Sequence, residues 1–380
     1  MSAARFLRGG LAGRIVAAGL VGLVAACASG PDRPKPGPLE PITAPIAGRV
    51  VWQQKLEGVQ FPLAVAVNGG VFTVAATDGT VVALQADSGR EVWRASVGKR
   101  LSAGVGSDGR YAAVVTRDGE LVVLDAGRPL WRKPLGVRVD TAPLVAGERV
   151  FVLGSERSVR AFDALDGRLL WTVRRTGDPL TLSEGGVVAA FKNTLLVGQG
   201  PRLAGLDPDN GAVRWDVAVA QPRGTNEIER LADLVGPIAR TGDVVCARAF
   251  QSAVGCVNAE RGSLSWSRNI GGLQAVGFDG TTVVGADASD RITAWKAGGG
   301  EIAWTNEKLA YRSLSAPVLV GSTVVFGDGE GTVHVLSRDN GATQLRLPTD
   351  GSPIVAAPVV SGTTVLVVTR KGGLFALRPQ

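Results

Sequence analysis

Histidine, methionine, tyrosine and cysteine are scarce in this 380-residue chain: one His, one Met, two Tyr and three Cys. A lone His with no Cys or carboxylate cluster at ligand spacing argues against a zinc site. There is no Ser-containing elbow and no second base from which to assemble a nucleophilic triad, and no phosphate-binding glycine loop opens a helix. The apolar run Ile15 to Ala26 falls well short of the roughly 20 residues a membrane-spanning helix needs. Basic runs are missing too. The formal net charge is +7, but residues 1–26 contribute Arg5, Arg8 and Arg14 with no acid. Once they are set aside about +4 remains, dispersed along the chain, and a nucleic-acid partner is not expected. Most carboxylates sit in turns, where Asp caps its own backbone.

The chain is rich in glycine, with 52 residues, about twice the usual share. They follow no Gly-X-Y period, which excludes collagen, and abundant Val, Leu and Ala argue against disorder. High Gly with β-branched residues and few helix formers predicts many short strands joined by tight turns.

The N-terminus reads as a targeting signal. Arg5, Arg8 and Arg14 precede the apolar stretch, which ends in small residues. The sequence Val24-Ala25-Ala26-Cys27 resembles a bacterial lipobox. That resemblance implies cleavage after residue 26 and acylation of Cys27, and several acyl chains on one residue anchor stably. Ala28 stands where Asp would resemble an inner-membrane retention signal, so the outer membrane is expected. Pro31, Pro34, Pro36, Pro38, Pro41 and Pro45 predict an extended tether over residues 27–48.

From residue 49 onward the chain is a repeat: two apolar strands joined by a short turn, then Gly, then an aromatic four residues later. The copies include DGTVVALQADSGREVW, ERSVRAFDALDGRLLW and SDRITAWKAGGGEIAW. The step recurs as Gly89/Trp93, Gly127/Trp131, Gly167/Trp171, Gly211/Trp215, Gly262/Trp266 and Gly300/Trp304, while Gly341 is followed by Leu345. Trp52 opens the series without its preceding strands, and Lys371 to Pro379 supplies such a strand without its Trp. Seven units plus one split between the ends make eight, at about 41 residues each, the size of a four-stranded propeller blade. The expectation is an all-β, eight-bladed β-propeller over 49–380, closed by pairing of its N- and C-terminal strands, which removes exposed sheet edges. The Trp series is expected to pack between neighbouring blades. Trp295 falls on a core position, and His334 on a tolerant strand position two residues before core Leu336. Asp78-Gly79 and Asp118-Gly119 read as two-residue hairpin turns.

Cys246 and Cys256 lie ten apart across a predicted hairpin in an oxidising compartment. A two-residue turn puts them out of register on opposite faces; a three-residue turn puts them opposite each other. Disulfide and buried free thiols both remain open at this point.

The lipobox, the Pro-rich tether and the eight-fold D-x-G-x-x-x-W repeat resemble the BamB family, lipoproteins of the outer-membrane β-barrel assembly machinery. The repeat itself is of the pyrroloquinoline-quinone (PQQ) type shared with quinoprotein dehydrogenases. Residues 225–233, TNEIERLAD, resemble the family's T-x-E-I-x-R-L-x-D loop and fall in the longest interval, the 51 residues between Trp215 and Trp266. Ile228, Leu231 and Leu234 predict one face of a short helix after an Asn226 cap. The resemblance implies a non-catalytic scaffold without cofactor or metal that binds the periplasmic POTRA domains of BamA, the barrel-inserting subunit. It implies contact through Leu180 and Leu182, oriented by Asp233 and Arg230. Ser183 stands where the family segment P-x-L-x-L-R has Arg, and Val235 where it has a second acid, so the apolar part carries over better than the charged part. Two alternatives are a quinoprotein dehydrogenase-like enzyme and a general chaperone that takes unfolded outer-membrane proteins by β-augmentation. The first would need a cofactor pocket and a carboxylate metal set, and this type of enzyme often carries adjacent cysteines, which the chain lacks.

Overall fold

The computed structural model describes residues 34–175, 181–222, 225–227 and 229–379. Chain contacts divide it after Pro36, and the propeller lies in the unit 37–380. Among the described residues there is no helix; the strands form eight four-stranded antiparallel sheets. These are the blades of an eight-bladed propeller. Blades one to seven span 66–96, 106–134, 144–174, 188–218, 234–268, 277–306 and 318–348. Blade eight joins Val359–Ser361, Thr364–Val368 and Gly373–Pro379 to the N-terminal strand Gly48–Lys55. Its closing pairing runs from Gly48 opposite Pro379 to Lys55 opposite Gly373. The first strand of each blade touches that of the next, and blade eight returns to blade one.

The Gly-Trp step explains how blades lock together. Each Trp pairs with a small or compact residue on the third strand of its own blade, for example Ala83 with Trp93 and Cys256 with Trp266. A β-bulge beside each pair re-aims the fourth strand. The indole then lies beneath the turn before the fourth strand of the next blade, where the Gly leaves no side chain to obstruct it. A Cβ on Gly89 would fall 2.6 Å from the Trp52 ring, and one on Gly300 would fall 2.6 Å from the Trp266 ring. Indole N–H groups donate to the carbonyl three residues before that Gly: Trp52 to Ala86 (2.9 Å), Trp131 to Ala164 (2.8 Å), Trp171 to Pro208 (3.0 Å), Trp266 to Ala297 (2.7 Å) and Trp304 to Arg338 (2.7 Å). The ring thus buries apolar surface and satisfies turn carbonyls with the same residue. Leu345 is accounted for by the split blade. The third and fourth strands of blade eight are the two ends of the chain, so no Gly turn joins them for a seventh-blade Trp to support. Leu345 pairs with Val335 and packs with Leu377 and Val365 instead.

Two features of the hairpins and the leading segment differ from the sequence expectations. The Asp78-Gly79 and Asp118-Gly119 turns are three-residue loops, not two. Ala76 N–H bonds the Thr80 carbonyl and Gly79 N–H bonds the Ala76 carbonyl, with Gly79 at φ +99°; the same pattern recurs at Thr116, Glu120 and Gly119. A type I turn followed by a left-handed residue matches the strand twist at this loop length. The other difference lies in the expected tether. Its residues from Gly37 onward run along blade seven: Leu39 packs on the core around Leu309 and Phe326, Ile46 packs beside Leu345, and Glu40 pairs with Lys308 at 2.6 Å.

Candidate functional site

Because strands alternate in direction, one face of the ring carries the loops between blades together with the hairpins joining second and third strands. On this face a cleft opens between blades three and four. Its walls come from 140–141, 153–155, Arg157, 181–182, 184–186, 198–200 and 233–235. The close approach of these loops depends on glycine: a Cβ on Gly186 would meet Leu153 and Thr141 at 3.1 Å.

Asp233 organises the cleft. One carboxylate oxygen accepts the Leu182 backbone N–H at 2.9 Å, and the other accepts from the Arg157 guanidinium at 3.1 Å. Both charged side chains are largely buried, so the pair is a fixed strut and not a loose surface contact. Its backbone carbonyl accepts from Phe250 N–H at 2.9 Å. Three separate loops are therefore tied together at one carboxylate. Beside it, Glu184 lies above the ordinary carboxylate range, chiefly through burial and also through the charge of Asp140.

Of the residues singled out in the sequence, Leu182 and Asp233 meet directly here and are both half-buried. Arg230, also half-buried, lies three positions before Asp233. Leu180 and Cys27 lie outside the described residues. Ile228 lies outside the described residues; among the described ones the short helix expected after Asn226 is not formed, and a turn keeps the Asn226 cap bond. The Glu229 carboxylate accepts from Thr225 N–H at 2.7 Å, Asn226 accepts the Glu229 amide at 2.9 Å, and Leu234 opens a strand. The Thr225 amide and hydroxyl, with Asn226, hold the Glu229 carboxyl below its ordinary range. Cys246 and Cys256 are directly opposite on neighbouring strands, joined by a three-residue connection, with their sulfurs bonded. Trp52, Trp93, Trp131, Trp171, Trp215, Trp266 and Trp304 all occupy the blade-to-blade position, and Trp295 is fully buried.

Several residues were not visible as functional or structural signals in the sequence. Arg157 is one; it belongs to no motif and reaches Asp233 from 76 positions away. His334, read as a tolerant position, is fully buried and bonds Asp328 at 2.9 Å, while Arg312 bonds the same carboxylate at 2.9 Å. Arg312 also donates to the Gly37 carbonyl at 3.1 Å, which fastens the N-terminal segment. Arg248 is fully buried and spans two carbonyls, Ile270 at 2.9 Å and Ala286 at 3.0 Å. Burial lowers its guanidinium to about 10 against the opposing pull of Asp287. Among the described residues no group of three or more His, Cys, Asp or Glu is placed to hold a metal ion.

The ring and its loops define a class: an eight-bladed propeller of the PQQ-repeat type whose loops on one face are drawn into a cleft. The family profile described as outer membrane protein assembly factor BamB matches residues 42–101, 77–306 and 305–380. A Burkholderia pseudomallei BamB is 36% identical over 371 residues, covering 96% of this chain and 97% of that protein. A Bordetella pertussis BamB is 32% identical, covering 96% of each. The crystal structure of BamB from Moraxella catarrhalis superposes with a TM-score of 0.79 at 22% identity, covering 87% of this chain and all of that one. A quinohemoprotein alcohol dehydrogenase from Comamonas testosteroni shares the fold alone, at 16% identity and a TM-score of 0.65, covering 87% of this chain and 76% of that one. The chain belongs to the BamB family of outer membrane protein assembly factors, and its role is in outer-membrane protein assembly.

Proposed function

We propose that the chain is a non-catalytic scaffold that binds the periplasmic POTRA domains of BamA and thereby assists folding and insertion of β-barrel proteins. The observation that carries this reading is the bond between Asp233 and the Leu182 amide. It joins two segments 51 residues apart, each resembling a family contact motif, on one face of a rigid ring. Loops held on such a scaffold are where binding residues concentrate. Leu180 and Leu182 supply the apolar anchor, with Asp233 and Arg230 orienting it. Acylation at Cys27 holds the chain to the periplasmic face of the outer membrane, with residues 1–26 removed as a signal. The Arg expected at Ser183 is missing, and Arg157 supplies a guanidinium to Asp233 from another loop, so the charged part of the site is built differently in this chain.

The test is co-purification of BamA with the Leu180→Arg/Leu182→Arg double variant. Capture is expected to fall sharply while the circular dichroism spectrum stays unchanged. Undiminished capture by a folded variant would refute the assignment.

A further inference from the structure

The hairpins between second and third strands place one equivalent residue in every blade: Ala76, Thr116, Gly154, Gln199, Ala249, Asp287, Asp328 and Thr369. At seven of these the residue is small or is bonded to its surroundings. Thr116 accepts the Glu120 amide at 3.1 Å, Asp287 accepts the Ser289 amide and Asp328 the Glu330 amide, and Thr369 donates to Asp350 at 2.8 Å. Gln199 departs from this pattern. Blade four closes its hairpin with only Gly200 and Pro201, with Gln199 paired to Arg202. Its long side chain is 7% exposed and lines the cleft beside Asp233 and Leu182. Among the described residues neither its carboxamide nitrogen nor its oxygen has a hydrogen-bond partner.

A buried carboxamide with both atoms unpaired destabilises the free fold unless something else uses it. Its two ends, one donor and one acceptor side by side, complement a peptide unit of an extended chain, which offers an acceptor and a donor at similar spacing. The surrounding wall is suited to such a segment. Leu153 and Leu182 present apolar surface for a side chain, and the Arg157–Asp233 pair at 3.1 Å fixes one rim. Among the described residues that line the cleft the cation is Arg157, which already faces a carboxylate, so a phosphate or free carboxylate is poorly matched.

The geometry points to Gln199 as a specificity-determining residue of the docking site: its carboxamide bonds a main-chain peptide group of an extended segment of the BamA periplasmic region, with a neighbouring apolar side chain against Leu182. This rests on the partner assignment made above and adds to it the kind of group that is recognised and the residue that reads it.

The experiment uses the full lipoprotein in detergent, with Gln199→Met as the near-isosteric variant and Gln199→Ala as a second. Affinity for the purified BamA periplasmic region and for a urea-unfolded porin diluted into buffer is measured, with Leu182→Arg alongside. Loss of the paired hydrogen bonds is expected to weaken BamA binding about tenfold, with a melting temperature equal to or above that of the parent. If Leu182→Arg abolishes BamA binding while both Gln199 variants bind as the parent does, the inference fails and the partner assignment stands. If no variant changes BamA binding, the partner assignment fails. If the Gln199 variants weaken only binding of the unfolded porin, the occupant is a substrate chain and the inference is overturned. A Gln199→Met melting temperature well below the parent's would mean that the carboxamide serves the fold, and that too would overturn it.

Discussion

Three consecutive glycines, Gly298, Gly299 and Gly300, precede the fourth strand of blade six, and a single methyl group placed on the first or the third should have opposite consequences. Gly300 is buried at φ +72°, and a Cβ there would lie 2.6 Å from two atoms of the Trp266 ring. A non-glycine residue in the left-handed region costs about 1–2 kcal/mol. Forcing the indole aside adds about 1–3 kcal/mol of overpacking, and misaligning its 2.7 Å bond to the Ala297 carbonyl removes about 1 kcal/mol more. Gly300→Ala is therefore expected to destabilise by about 3–6 kcal/mol. Gly298 is exposed, lies outside the left-handed region and has nothing within 4 Å of a built Cβ. Gly298→Ala is expected to stay within about 0.5 kcal/mol of the parent or to gain slightly by restricting the unfolded chain. Paired thermal melts and urea midpoints of the two variants check this. If Gly300→Ala unfolds together with Gly298→Ala, the indole beneath the turn is not what holds neighbouring blades, and the account of the Trp series fails.

Three further outcomes follow from the buried polar groups and the disulfide. Arg248→Met strips the Ile270 and Ala286 carbonyls of their partner and leaves space beside Gly272 and Gly285, which make room for the guanidinium. A loss of about 2–4 kcal/mol is expected in urea unfolding, and Arg248→Lys, whose single ammonium lacks the fork, should not restore it. Burial works to raise the Asp328 carboxyl but is outweighed by the His334 bond, the Thr332 amide and Arg312, so it lies below its ordinary 3.8. A depressed carboxyl contributes stability that is full above the unfolded value and is lost as pH falls through the folded one. Asp328→Asn should accordingly be less stable than the parent at pH 7, with the gap narrowing below about pH 4, measured by urea midpoints across pH. Reduction of Cys246–Cys256 opens a loop of sequence separation 10 and is expected to cost about 2–3 kcal/mol in thermal unfolding. An unchanged melt in reductant would show that the paired strands alone hold that hairpin.

The propeller was legible because its information is local and repeated. Gly89, Gly127 and their counterparts stand four residues before an aromatic since each blade must meet its neighbour in the same way. A nearest-neighbour contact repeated around a ring leaves a period in the chain. Split closure was readable for the same reason, from Trp52 lacking strands and Lys371–Pro379 lacking a Trp. The site was legible only in part. Leu182 and Asp233 stood out by resemblance, but nothing in their spacing indicated that one carboxylate would bond the other's backbone. The three-residue hairpins could not be told from two-residue ones, because Asp-Gly suits both and only the bonds at Ala76 and Thr80 distinguish them. The Cys246–Cys256 register depended on that same one-residue difference.

Composition and periodicity by themselves determined an all-β ring of eight units, its closure and the place of the Trp series, for these follow from turn chemistry and from contacts between adjacent blades. Tertiary structure decided what meets across blades. It brought Arg157 to Asp233, set Gln199 beside Leu182 with no carboxamide partner among the described residues, buried His334 against Asp328 and laid residues from Gly37 onward along blade seven. Such meetings join loops from different repeats, where chain separation bears no fixed relation to distance, and only the assembled ring specifies them.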